Sequence, residues 1–332
     1  MIDLNNKRVI ISRTDSIGDV MLTLPICAWL KDKFPSVEIL FLGKGYTRPI
    51  VNAFSQIDQY IDWNDYLNVP KSEKIHNFRE LKADAIIHVF PDKEIASLAK
   101  KAKIPVRVGT SHRAYHLLTC SHRINFTRRK SNLHEAQLNH ELLRPFGLNE
   151  PPGLKSVIGT TKFFSVPEVS LLENFALLKN VTILHPKSQG SAKEWPIENY
   201  MKLAETLAKK GEDVAFTGTE SEGATFRKLI PAHKNIFDTT GQFSLEELMV
   251  FISQAKNLVA CSTGPLHIAG YCGINTVGLY SPKRPIHPGR WKALGKNVNI
   301  LVFDEDCPTC LEGKDCDCIL KIETATVLKK LV

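Results

Sequence analysis

Residues 258–280, LVACSTGPLHIAGYCGINTVGLY, constrain the fold of this chain more than any other stretch. A short apolar run leads into Ser262-Thr263-Gly264-Pro265, then a small-residue helical segment, then a second apolar run at 276–279. Short apolar runs flanked by Gly and Pro predict buried strands. A Pro just inside a helix start loses nothing, because the N–H it lacks would have had no intrahelical partner. The segment therefore predicts strand, tight turn, helix, strand. At such a turn the free N–H groups of residues 263–267 and the positive end of the helix dipole meet at the carboxyl edge of a parallel sheet, where anions bind. Gly264 lets a phosphate come close to the backbone. The expectation is a diphosphate cradle; the plain alternative is a Gly-Pro turn that only joins a strand to a helix.

The rest of the chain repeats this alternation. Residues 8–12, 37–42, 60–62, 85–90 and 106–108 read as strands, with an amphipathic helix over 19–33 and another helical segment over 92–102. The basic, poorly periodic segment 122–134 reads either as a solvated loop or as a landing surface for an acidic substrate. Between 149 and 170 the composition shifts to Pro, Gly, Ser and Thr, which marks a linker. Strands are then expected at 181–184, 213–216 and 236–238, and helices at 196–210, 220–229 and 244–255, the last with a Ser244/Glu247 capping box. Alternating strands and helices predict an α/β fold of two Rossmann-like parallel-sheet domains, residues 1–160 and 161–332, facing a cleft.

A chain of 332 residues is long enough for two cores. Its net charge of +8 favours acidic partners: nucleic acid, phosphorylated small molecules or an anionic membrane surface. The basic residues are not interleaved with aromatics on a recognisable reading module, so no nucleic acid partner is expected. No apolar run approaches a bilayer span and the N-terminus has no secretory pattern, so the expectation is cytoplasmic residence, with peripheral contact at the inner membrane.

Four features carry candidate chemistry. Gly18-Asp19 follows the first strand; Asp19 reads either as a helix cap or as a general base that the helix dipole keeps ionised. In HPKSQGSAKEWP, residues 185–196, Ser188 lies in a flexible polar loop, and Lys193 stands near a helix start that itself prefers negative charge, so an anion between the two would explain it. In the segment FTGTESE, Glu222 reads either as an ordinary first-turn carboxylate or as a holder of a ribose diol. His267, one turn into the helix after Gly264, reads as a packed group or a phosphate contact. Cys307, Cys310, Cys316 and Cys318 suit a soft metal ion, but the tight Cys-x-Cys end favours reduced free thiols, and no metal is expected.

GDVMLTLP, HPKSQGSAKEWP, TGTESE, DTTGQFSLEELMVFISQAKNLVACSTGPLHIAG and GLYSP, in this order, resemble glycosyltransferase family nine, the bacterial heptosyltransferases. The resemblance implies a GT-B architecture with an N-terminal acceptor-binding and a C-terminal donor-binding domain. It implies inverting, metal-independent transfer of a sugar, typically heptose from an ADP-activated donor, to an acidic glycolipid acceptor, the lipopolysaccharide core, with no cofactor. It places the base at Asp19 and the diphosphate grip at Lys193, Ser188, Ser262, Thr263, Gly264, Pro265 and His267. Gly18 then belongs to the same donor site, Phe243 to the adenine pocket and Glu222 to the ribose. Position 262 is Ser where the well-known heptosyltransferases have Asp, which leaves open another nucleotide sugar, an epimerase, or an inactive sugar-nucleotide-binding relative.

Overall fold

The computed structural model describes residues 1–128 and 131–332. The chain separates into two compact units, Met1–Ser165 and Val166–Val332.

The first unit holds strands β1 (Arg8–Ser12), β2 (Glu38–Gly43), β3 (Gln59–Asp62), β4 (Ala85–His88), β5 (Val106–Thr110) and β6 (His122–Ile124). They form one parallel sheet in the order β3-β2-β1-β4-β5-β6. This is the doubly wound order in which the chain reverses direction between β1 and β4, and loops leaving those strands at their carboxyl ends flank a binding crevice. Ile10, Leu40, Leu42 and Ile86 are buried against Ile95, Leu98 and Ala99 of the helix Lys93–Lys101, whose N-cap Asp92 accepts from the Ile95 amide.

The first unit departs from the sequence expectation at two places. The helix expected over 19–33 is two helices, Ile17–Met21 and Leu24–Lys33. Pro25 lacks the N–H that would bond to the Met21 carbonyl, and its ring crowds that turn. The basic segment 122–134 begins with the edge strand β6 rather than being loop throughout; its Arg129 and Lys130 lie outside the described residues.

The second unit repeats the plan with β7 (Thr182–His185), β8 (Val214–Phe216), β9 (Ile236–Asp238), β10 (Asn257–Cys261), β11 (Asn275–Tyr280) and β12 (Val298–Val302), in the order β12-β11-β10-β7-β8-β9, all parallel. Its crossover point lies between β7 and β10. The helix Ile197–Ala208 turns Tyr200, Leu203, Ala204 and Leu207 onto the sheet. The helix Gly264–Cys272 packs so closely that a Cβ on Gly270 would stand 2.6 Å from the Leu294 carbonyl oxygen. The Ser244/Glu247 capping box forms as expected, with Ser244 N donating to Glu247 Oε2 at 2.8 Å and Glu247 N donating to Ser244 Oγ at 3.2 Å.

Burial holds two histidines of the first unit neutral: His88 is pushed down to about 3 and His140 to about 4. The unfolded chain therefore binds protons below pH 6.5 that the folded chain refuses, and stability falls with acidification. Asp15, raised by burial to about 6, opposes part of this, because its folded form takes up a proton between pH 6 and 3.8 before the unfolded form does. Urea unfolding should show a net loss of several kcal/mol, on the order of 3–5, between pH 7 and pH 4. His88→Gln should flatten that slope; an unchanged slope contradicts the assignment.

Candidate active site

In the first unit the site grows from the loop that leaves β1. Ser16 caps the helix Ile17–Met21, its hydroxyl accepting from Asp19 N at 3.5 Å and donating to Asp19 Oδ2 at 2.6 Å. Asp19 is therefore not the cap; it sits in the first turn, where its carboxylate favours the helix dipole. Arg13, almost wholly buried at the end of β1, donates through Nε to Asp15 Oδ1 at 2.6 Å and through its Nη2 to Asp19 Oδ1. Its Nη1 lies 4.0 Å from Glu135 Oε1, which Arg128 also pairs at 3.0 Å. One guanidinium thus fixes the Asp19 carboxylate, which keeps 18% of its side-chain surface open. A carboxylate oriented on both oxygens and still partly exposed can accept a proton from an approaching hydroxyl. Gly18 is buried directly before it and contributes backbone only. Arg13, Asp15, Arg128 and Glu135 carry no motif in the sequence: each local pair looks like ordinary surface charge, and the approach of Arg13 to Glu135 that joins the two pairs bridges distant parts of the chain.

In the second unit the loops leaving β7 and β10 stand side by side at the crossover point. Ser191 Oγ donates to the Ser188 carbonyl at 2.8 Å and lies 3.4 Å from the Ser262 carbonyl oxygen, so the Lys193 loop and the Gly264 turn share one edge of the sheet. Gln189 and Gly190, at φ +49° and +80°, turn the loop sharply. Ser188 is a loop brace: its one hydroxyl proton is shared between the Ala192 carbonyl at 2.9 Å and Glu194 Oε1 at 3.0 Å, and its amide donates to Glu194 Oε1 at 2.8 Å. Lys187 closes the same carboxylate at 2.5 Å. Lys193 Nζ donates to the Cys316 carbonyl and lies 3.5 Å from Asp317 Oδ1.

Thr263 caps the helix Gly264–Cys272 in extended conformation without using its side chain, and Pro265 follows within the first turn. Its buried Oγ1 has no partner among the described residues. The first-turn amides of Gly264 and Leu266 are the kind that a helix itself leaves unused. His267 is buried one turn along, and Ser262 is half-buried beside the Tyr280 phenol. Glu222 forms a capping box with Thr219, accepting from its amide at 2.7 Å and its hydroxyl at 3.0 Å through Oε2, which leaves Oε1 outside the cap. Phe243 is half-buried, 5.0 Å from the ring of Phe175 and 4.8 Å from that of Phe251. The basic stretch Lys283, Arg284, His287 and Arg290, which follows β11 on the same carboxyl edge, is an additional candidate; its linear signal is four basic residues interspersed with Pro282, Pro285 and Pro288.

The family model of glycosyltransferase family 9 (heptosyltransferase) matches residues 74–319. This chain belongs to glycosyltransferase family 9. Lipopolysaccharide heptosyltransferase 2 of Escherichia coli is 23% identical over 300 residues, covering 81% of each chain. A family 9 glycosyl transferase of Veillonella parvula superposes with a TM-score of 0.73 at 19% identity, covering 99% of this chain and 97% of the other. The E. coli heptosyltransferase WaaC solved with ADP also gives a TM-score of 0.73, at 18% identity and 97% and 98% coverage. The fold is GT-B, and this family 9 member is a glycosyltransferase. No helix among its described residues is long and apolar enough to cross a membrane.

Proposed function

We propose that this glycosyltransferase moves a sugar, heptose in the first instance, from an ADP-activated donor to a lipopolysaccharide core acceptor, with inversion. The E. coli relatives carry heptosyltransferase names and one was solved with ADP, which supports the choice of nucleotide. The observation that carries the reading is the meeting of the β7 and β10 loops, Ser191 against Ser262, at the crossover point of the second sheet. A diphosphate placed there meets first-turn amides, the helix dipole and the lysine loop together.

In this mechanism Asp19 takes the proton of an acceptor hydroxyl as its oxygen attacks the anomeric carbon on the face opposite the nucleotide. The bond from that carbon to the diphosphate breaks, and the charge gathering on the leaving group is stabilised by Lys193 and the first-turn amides of Gly264 and Leu266. Glu222 takes the ribose through Oε1, and Phe243 lies along the adenine. Ser188 acts by shaping the loop. An anionic lipid surface attracts the basic chain to its acceptor at the membrane without a spanning segment.

Thermal-shift measurement across ADP, UDP, GDP and CMP tests the donor. Saturating ADP should raise the melting temperature, the stabilisation reaching about 2.7 kcal/mol at a hundredfold excess over Kd, with smaller shifts for the others. Lys193→Ala should weaken ADP binding about ten- to a hundredfold, the worth of one charge-assisted bond. A shift with UDP and none with ADP rejects the ADP donor and favours the other-nucleotide reading that Ser262 leaves open.

A further inference from the structure

Residues 303–318, FDEDCPTCLEGKDCDC, fold in an unusual way for so short a segment. The large apolar side chains Phe303 and Leu311 are 52% and 45% exposed, while Cys310 is fully buried and Cys307 and Cys318 nearly so. The small core of this segment consists of Cys307, Cys310 and Cys318, with Cys316 packed against it. A loop that turns its hydrophobes outward and its thiols inward gains little from apolar burial and needs another source of order.

The geometry supplies one. The helical turn Pro308–Leu311 and the turn at Gly313, φ +78°, present Cys307 and Cys310 to the same point as Cys316 and Cys318. All four Sγ atoms lie within 4.8 Å of one another, with Cys307 to Cys316 at 3.5 Å and Cys316 to Cys318 at 3.3 Å. A disulfide would require about 2.05 Å. Four thiolates around one tetrahedral ion with bonds of about 2.3 Å would stand about 3.8 Å apart. A bridged iron–sulfur cluster would spread its thiolates over several irons and needs a wider cage than this. Ser281 Oγ, 3.3 Å from Cys310 Sγ, is placed as the outer hydrogen-bond partner such ligands have.

We propose that Cys307, Cys310, Cys316 and Cys318 form a closed structural site for one thiophilic divalent metal ion, zinc or iron. The site ties two loops at the carboxyl edge of the second sheet: the Cys316 carbonyl accepts from Lys193 Nζ, and Asp315 pairs with Lys283 at 2.6 Å. Metal occupancy therefore sets the pose of Lys193. This coupling rests on the donor site proposed above; the metal site does not.

Elemental analysis of the full chain, purified under reducing conditions without chelator, should find about one zinc or iron per chain, and which of the two settles the metal. Chelator-stripped protein titrated with cobalt(II) should develop tetrahedral d–d bands and thiolate-to-metal charge-transfer bands that saturate at about one equivalent. Cys310→Ser and Cys318→Ser should lose the bands and Cys272→Ser should keep them; the cobalt titration of the wild-type chain decides the matter even if the serine variants fail to fold. Four alkylatable thiols with no cobalt spectrum, or two disulfides by mass spectrometry, overturn the site. Stripped protein should bind ADP several-fold more weakly than metal-loaded protein. Equal ADP affinity with stoichiometric metal overturns the coupling to Lys193, and absent ADP binding in both forms counts against the donor reading instead.

Discussion

Asp19→Asn should lower the transfer rate about a hundred- to ten-thousand-fold, the usual worth of a positioned general base. The substitution keeps an oxygen to accept from Arg13 or Ser16, so the local fold should survive and ADP affinity should not move. The loss should fall on kcat, with the donor KM unchanged, because only proton transfer in the transition state is removed. Near-normal turnover would reject Asp19 as the base. A loss confined to the donor KM would instead make it a binding residue.

Arg13→Ala should have the largest effect on stability. The guanidinium is 4% exposed and neutralises Asp15 and Asp19 directly, with Glu135 at the edge of its reach. Removing one member of a buried pair leaves an uncompensated charge, at a cost of about 3–5 kcal/mol. Glu135 keeps Arg128 as a partner, so the loss centres on the two aspartates. Arg13→Lys should lie between, since a single ammonium cannot reproduce a fork that meets two carboxylates. Urea unfolding measures both; a loss below about 1 kcal/mol for Arg13→Ala would mean that water already serves these carboxylates.

What the linear sequence displays and what it hides follow from range. The turn after β10, the helix start at Ser244 and the capping carboxylate Glu222 depend on neighbours a few residues away, so their patterns are visible directly. The strands β6 and β12 escape such a reading because both are edge strands: β6, HRI, is short and charged, and in β12, VNILV, Asn299 interrupts the apolar pattern. The break between residues 21 and 24 was overridden by an apolar stripe that continues across Pro25. Ser188 and Lys193 were legible as polar residues at a strand end. Their partners were not: Ser188 is committed to Glu194 six residues away, and Lys193 to a carbonyl 123 residues away. Sequence spacing likewise suggested loose thiols in the C-terminal loop, where the fold brings four sulfurs to one point.

The division of labour between the two sheets is the claim on which the account depends, and acceptor-dependent release of ADP tests it most directly. The wild-type chain, given an ADP-heptose donor and a lipopolysaccharide core lacking its terminal heptose, should release ADP and add the sugar mass to the acceptor, and each signal should vanish without the other substrate. ADP release that ignores the acceptor, or no release from the ADP donor alongside turnover of a different nucleotide sugar, would contradict it.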